Sequence, residues 1–86
     1  MTHIEITTRF ALLNLHENDL VILDLVDGSE VTGLLSSKTV SVDLDDNNEY
    51  INSRIGLLPP PPPLGMIVPR IITTFYSVNI LNISRV

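Results

Sequence analysis

The residues best suited to bind a metal ion lie between Asp43 and Glu49, where oxygen-bearing side chains occupy alternate positions. Carboxylate and amide oxygens at this spacing are the ligands that a hard cation such as Ca²⁺ prefers. An EF-hand loop also needs glycine at its sixth position and glutamate at its twelfth, where this chain has Asn48 and Arg54. We therefore interpret the segment as a solvated turn. Because the chain has no cysteine and only two, widely spaced histidines, we predict no metal and no cofactor.

Catalytic motifs are also missing from the sequence. No serine has the Gly-x-Ser-x-Gly surroundings of a nucleophile elbow, and neither a glycine-rich phosphate loop nor a dinucleotide fingerprint occurs. A catalytic site needs pocketed groups with perturbed pKa values, and no pattern here predicts them. We expect the protein not to be an enzyme.

A run of five prolines between Leu58 and Leu64 is the most unusual segment of the chain. Consecutive prolines form a stiff polyproline II rod and cannot enter the interior of a sheet. Such a rod is either a ligand for the aromatic groove of a proline-binding domain or a spacer tacked onto its own domain or a neighbouring subunit. The candidate partner-binding residues are Pro59, Pro60, Pro61, Pro62 and Pro63.

Several short strands must position these features. Leu20 to Leu35 reads as two alternating strands joined by an Asp27-Gly28 turn, and Gly33 within the second strand predicts a bulge or sharp bend. We predict a third strand over 40–44, a polar turn over 45–49, and further strands over 71–75 and 79–83. The segment 50–55 either extends the third strand or pairs separately. Before the strands, Thr7 and Thr8 predict a helix over 9–16, with an extended arm over 2–8 as the rival.

The stretch from Leu20 to Leu35 resembles the first motif of the Sm-like (LSm) family, in which an aliphatic strand, an acidic-Gly turn and an x-V-x-G-x-L strand follow a helix. Phe75 to Ile83 is similar to the family's second motif, I-R-G-N-N-I-x-x-I, with Tyr76 and a serine at the Arg and Gly positions. The resemblance is to a divergent member of bacterial or phage type.

The resemblance implies an all-β fold, a strongly bent five-stranded antiparallel barrel with a short N-terminal helix or arm. It also implies one domain over 1–86, divided into the arm or helix (1–19), the first motif (20–44), a variable loop with the proline run (45–70) and the second motif (71–86). Subunits of such proteins form rings by pairing their last two strands, here expected as five to seven copies. The implied interface residues are Thr73, Phe75, Leu81 and Ile83.

By the same resemblance, single-stranded RNA would bind near the pore of the ring. Tyr76 could stack on an unpaired base or pack beneath its loop with its hydroxyl hydrogen-bonded. The candidate RNA-binding residues are Lys38, Ser41, Tyr76, Ser77 and Asn79.

Composition supports self-association and opposes general nucleic-acid binding. Hydrophobic residues make up 44% of the chain, more than one small monomer readily buries. The net charge of −5 and the pI of about 4.6 oppose contact with polyanions. With no long apolar run or leader, a cytoplasmic protein is expected. Two functions are predicted: a weakly RNA-binding scaffold or chaperone ring of ribonucleoprotein type, and a ring that recruits protein partners through the proline run.

Overall fold

The structure, a computed structural model, describes residues 1–37, 40–67 and 69–86. It contains one α-helix, six strands and a short 3₁₀ helix, and all strand pairs are antiparallel. The elements in chain order are α1 (His3–Leu12), β1 (Leu20–Leu25), β2 (Glu30–Leu35), β3 (Ser41–Leu44), β4 (Tyr50–Leu58), β5 (Thr73–Tyr76), the 3₁₀ helix η1 (Ser77–Asn79) and β6 (Ile80–Arg85).

The six strands form one sheet whose centre is the nine-residue β4. Arg54 in β4 pairs with β3 on one edge and with β5 on the other, and Leu57 pairs with β2 and β5 in the same way. Because β5 pairs with residues 54–57 along one edge of β4, β2 and β3 must both lie along the opposite edge of β4. From β5 the sheet continues through β4 to β2 and β3, which pair with different parts of the same edge of β4, and from β2 through β1 to β6.

The prediction of an antiparallel β fold with a short N-terminal helix is confirmed, but the sheet is not closed into a barrel and has six strands where five were predicted. The predicted third strand exists, yet it pairs with β4 and not with β2. The connecting turn explains this pairing. Asp45 Oδ1 accepts hydrogen bonds from the backbone N–H groups of Asn47 (2.8 Å) and Glu49 (2.9 Å), and Asn48 adopts a left-handed φ of 61°, which together reverse the chain within five residues.

The helix begins earlier than the sequence pattern predicts. Thr2 caps it: its hydroxyl accepts from Glu5 N (3.1 Å), and the Glu5 carboxylate accepts from Thr2 N (3.0 Å), a complete capping box. The extended arm over 2–8 is therefore wrong, and the helix predicted over 9–16 is confirmed only over residues 9–12. The hydroxyl of Thr7, proposed as a cap, instead donates to carbonyl oxygens in the preceding turn.

The core is aliphatic apart from one phenylalanine. Ile6 and Phe10 of α1 cover the residues that the strands turn inward. No helix in the described part of the chain is both long and apolar enough to cross a membrane. The buried hydrophobic side chains are Ile6, Phe10, Leu15, Val21, Leu23, Leu35, Ile55, Leu57, Ile80 and Ile83.

Gly33 does not mark a bulge, one of the two alternatives, a bulge or a sharp bend, that the sequence predicts. The β1–β2 register passes through it without a shift, so there is no bulge. An added Cβ would instead lie 2.7 Å from the carbonyl oxygen of Leu58 and 3.0 Å from Cβ of Leu57. Glycine is required here because the backbone of β4 approaches too closely for a side chain.

Candidate functional site

The junction between β5 and β6 is built around the buried Ser77, which opens η1 and is 4% exposed. Its Oγ accepts a hydrogen bond from the backbone N–H of Ser53 (3.1 Å) and lies 3.3 Å from the hydroxyl of Tyr50. The hydroxyl therefore satisfies groups inside the protein. Ser77 was predicted as an RNA contact, and in the structure its side chain fixes the junction and does not face solvent.

A second buried serine joins the helix to this junction. Ser53 is fully buried, and its Oγ lies 2.6 Å from His3 Nδ1 and 3.3 Å from the hydroxyl of Tyr50. A serine beside a histidine is the pair that nucleophilic catalysis uses, but this serine is closed to any substrate in solution. The pair links α1 to β4.

Tyr50 is a partly exposed aromatic residue that sequence reasoning missed. Its ring is 49% exposed, and the ring centroid lies 6.0 Å from that of His3. Hydrogen bonds to the hydroxyls of Ser53 and then Ser77 lower the pKa of the Tyr50 phenol. Tyr50 directly follows the acidic turn, whose alternating oxygen-bearing side chains are the more conspicuous pattern in the sequence.

Tyr76 and Asn79, two of the predicted RNA contacts, lie in one open cavity of about 300 Å³ between β5 and the end of β1. The Tyr76 ring is 42% exposed, and the carbonyl of Asn79 accepts from Val26 N (3.0 Å). Asp27 also lines the cavity. The hydroxyl and the backbone N–H of Ser29 donate to Asp27 and lower the pKa of its carboxyl group, so the cavity carries a negative charge at neutral pH.

The remaining predicted RNA contacts lie elsewhere. Ser41 is exposed at the start of β3 and pairs with Arg54, which also pairs with Tyr76 on its other edge. Two strand spacings therefore separate Ser41 from Tyr76, about 9.5 Å. The Nε of Arg54 lies 2.9 Å from Oδ1 of Asp43, which pairs this cation with a carboxylate. Lys38 lies outside the described residues.

The predicted interface residues divide into two groups. Thr73 is exposed, Phe75 is half-buried and Leu81 is 60% exposed, so all three are accessible. Ile83, the fourth predicted interface residue, is fully buried in the core of its own subunit. Among the described strands, β5 pairs only with β4 and β6 pairs only with β1, which leaves one edge of each strand without a partner.

The acidic segment is a structural turn in the described part of the chain. Asp45 uses its carboxylate to cap the turn between β3 and β4, and no group of three His, Asp or Glu residues among those described could hold a metal ion. The carboxylate of Asp45 is thus used by the backbone of the turn itself.

The five prolines follow β4 directly, and the first four of them form one wall of a groove of about 420 Å³. Leu57 and Leu58 anchor the start of the run in the sheet, whereas Leu64 at its end is fully exposed. The chain then turns at Gly65, which has a φ of 84°, and Met66 N donates to the carbonyl of Pro63 (3.1 Å). The residues lining the groove are Leu34, Leu58, Pro59, Pro60, Pro61, Pro62, Met66, Ile67, Pro69 and Arg70.

Charge is divided unequally along the chain, a signal that the total charge conceals. All ten acidic residues precede position 50, and the segment 50–86 contains three arginines and no acidic residue. The acidic side chains lie in α1, in the β1–β2 and β3–β4 hairpins, and in the loop before β1. The proline run and everything after it are therefore neutral or basic.

Comparison of the chain with protein-family models, with curated proteins and with solved structures finds no match.

Proposed function

We propose that this chain is a divergent Sm-like protein whose subunits form a ring, and that the ring is an RNA-associated scaffold. The observation that carries the proposal is the position of β5 and β6. They follow one another in the chain across the three-residue η1, yet they stand at opposite ends of the strand path. An unpaired strand edge is a template for another chain, so each subunit offers one edge to each of two neighbours.

The two free edges support a closed assembly of like subunits. A contact between β5 of one copy and β6 of the next uses different surfaces on the two partners, and such a contact generates a ring when the rotation between copies closes. The resemblance to Sm-like proteins makes five to seven copies the expected number. Exposed side chains on the two strands, Thr73 and Leu81, would cover the contact, with the half-buried Phe75 beneath them.

RNA contact in this proposal rests on Tyr76, with Asn79 beside it and Tyr50 nearby through the Ser77 junction. Stacking of a base on an aromatic ring contributes about 1–3 kcal/mol and tolerates any base. Asp27 in the same cavity and the acidic turn before β4 repel phosphate. Binding is consequently weak and governed by stacking, with Ser41 as a polar contact and Lys38 as a source of positive charge.

The test is the mass of the assembly by multi-angle light scattering, with and without a short oligo(U) RNA at low and moderate salt. We expect a whole-number multiple of 9.5 kDa that gains RNA at low salt and loses it as salt rises, because phosphate contacts release counterions. A monomer under all conditions contradicts the ring. A ring that never gains RNA contradicts the RNA scaffold.

Tyr76→Ala is expected to weaken oligo(U) binding by about 5- to 150-fold, the range that corresponds to the loss of one stacked base. The matched control is Tyr76→Phe, which keeps the ring and removes the hydroxyl, and which should bind as the wild type does. Both affinities are measured by fluorescence anisotropy, and light scattering checks that the assembly mass is unchanged. Equal binding by the alanine variant would remove Tyr76 from the site.

A second function is favoured by the exposure of the proline run. Pro60 to Pro63 are exposed, and a ring would present five to seven copies, so a weak proline-binding domain would gain avidity. In this alternative the ring recruits protein and does not need RNA.

Replacing Pro59 to Pro63 by alanine tests the alternative. We expect binding to immobilised SH3, WW or EVH1 domains to be lost while the assembly mass stays the same. The control replaces Pro69, which lies outside the run. Binding that survives the five replacements would exclude the run as the ligand.

A further inference from the structure

We infer that copies of this chain also contact one another head to tail, with an apolar arm of one copy docked on an apolar patch at the tip of the β3–β4 hairpin of the next. This contact is separate from the β5–β6 pairing and from any RNA or proline-binding partner. The arm consists of Leu64, Met66, Ile67, Arg70 and Ile71. The hairpin patch consists of Val42, Leu44, Tyr50 and Ile51.

The arm holds large apolar side chains in solvent on a stiff support. Leu64 and Ile67 are almost fully exposed, at 104% and 97%, and Met66 and Ile71 are exposed by more than half. The prolines fix the backbone dihedrals of the limb that leads to them, and the turn at Gly65 brings the return limb alongside. Because a rigid segment loses little conformational entropy on docking, such a projection is pre-organised for a contact.

The hairpin patch is the second concentration of exposed apolar side chains within one element pair. Val42 and Leu44 of β3 are 39% and 52% exposed, and Tyr50 and Ile51 of β4 are 49% and 56% exposed. Leu44 and Tyr50 are register partners across the two strands, so their side chains share one face.

The arm and the patch of one copy do not contact each other, since Leu64 and Ile67 of the arm are almost fully exposed. The patch includes the first residues of β4, and the arm follows the last residue of the same strand after the proline run. Eight residue steps along a strand span roughly 26 Å, and pairing on both edges holds β4 in place. The two surfaces therefore adjoin opposite ends of β4, in a molecule whose longest extent is 49 Å.

Charge selects a second copy as the occupant. The turn beside the patch carries Asp45, Asp46 and Glu49, whereas the arm carries Arg70 and lies in the segment that has no acidic residue. The apolar side chains of the arm thus lie beside a positive charge, and those of the patch lie beside negative charges. This difference favours arm-to-patch contact over arm-to-arm or patch-to-patch contact. A contact between two different surfaces adds copies in one direction, so it joins rings face to face or extends a chain of monomers.

Two variants with complementary defects test the contact. The arm variant carries Leu64→Ser and Ile67→Ser, and the patch variant carries Leu44→Ser and Ile51→Ser. All four residues are exposed, so each variant should fold, which circular dichroism checks. By analytical ultracentrifugation at equal concentration, we expect each variant alone to have at most half of the wild-type mass. A mixture should form a species of twice the mass of either variant, because one intact arm and one intact patch remain.

The matched control carries Ile4→Ser and Leu12→Ser on α1, which are exposed by 75% and 76%, and should keep the wild-type mass. A charge test uses Arg70→Glu, which should lower the mass, and a mixture with the Asp46→Lys and Glu49→Lys variant, which should restore association. The inference is overturned if both variants keep the wild-type mass, if only one loses mass, or if the mixture stays at the mass of its components.

Discussion

Gly33→Ala is expected to lower the free energy of unfolding by about 2–3 kcal/mol, the upper range for forcing one extra carbon into a packed site. The new Cβ would meet the carbonyl oxygen of Leu58 at 2.7 Å, a backbone atom that cannot rotate away. The strain falls on the junction of β2 and β4, which pair only through Leu34 with Leu58 and Leu35 with Leu57. Urea unfolding at fixed protein concentration, followed by circular dichroism, measures the change.

Gly28→Ala is the matched control for this substitution. Gly28 also lies in the first hairpin and has a φ of 89°, but an added Cβ meets nothing within 4 Å. The alanine there costs only the backbone strain of a left-handed conformation, roughly 1 kcal/mol. If Gly33→Ala were no more destabilising than Gly28→Ala, the close approach of β2 to β4 would be wrong.

Two apolar positions of β6 are expected to respond to truncation by very different amounts. Ile83 is fully buried, so Ile83→Ala should lower the free energy of unfolding by about 2–5 kcal/mol. Leu81 is 60% exposed, so Leu81→Ala should change it by less than about 0.5 kcal/mol, as surface substitutions usually do. Urea unfolding at a protein concentration where both variants are monomeric makes the comparison, because the exposure of Leu81 is that of a single subunit.

Leu81→Asp separates subunit stability from assembly. A charge at an exposed position leaves the core intact, but in the proposed ring it would be buried between β6 and the β5 of a neighbour without a partner. We expect the mass by light scattering to fall to that of smaller species while the circular dichroism spectrum is kept. A variant that retains the wild-type mass would exclude Leu81 from the interface.

Local sequence signals predicted the first hairpin well. The hairpin turns at Asp27-Gly28 as predicted, with Gly28 N donating to the carbonyl of Leu25 (3.0 Å) and Leu25 N donating to that of Ser29 (2.9 Å). The turn type differs from the predicted two-residue turn, because three residues, 26–28, connect Leu25 to Ser29 and only Gly28 among them has a positive φ. Such turns need only the residues within them. The start of the helix was equally local, but the Thr2 capping box was missed because the alternation of Ile4 and Ile6 imitates a strand.

The pairing of β4, the longest strand, could not be predicted from the sequence because its inward face begins with a polar residue. Ser53, Ile55 and Leu57 are buried at alternate positions of β4, a regular pattern that a serine at the first position disguises. That serine can be buried because His3, Tyr50 and Ser77 provide hydrogen-bond partners, and two of these, His3 and Ser77, come from other parts of the chain. Tertiary partners of this kind cannot be inferred from spacing.

The same limit applies to the candidate site. Tyr76 and Asn79 were placed together by their proximity in sequence, and they do share a cavity. Ser77 and Ile83 point inward, and this depends on how η1 turns the chain between β5 and β6, which no short pattern specifies. The unequal charge of the two halves was visible in the sequence, but it acquired a spatial meaning only when the arm and the hairpin were located.

The contacts that hold α1 in place also constrain the order of folding. His3 reaches Ser53 across 50 positions of the chain, and Arg85 donates to the carbonyl of Asn14 across 71. Closing such long loops costs more entropy than closing the first hairpin, and contacts distant in sequence slow the folding of small domains. Although α1 is synthesised before any strand, it can reach its native position only after β4 and β6 have formed, so docking of the helix should be a late kinetic event.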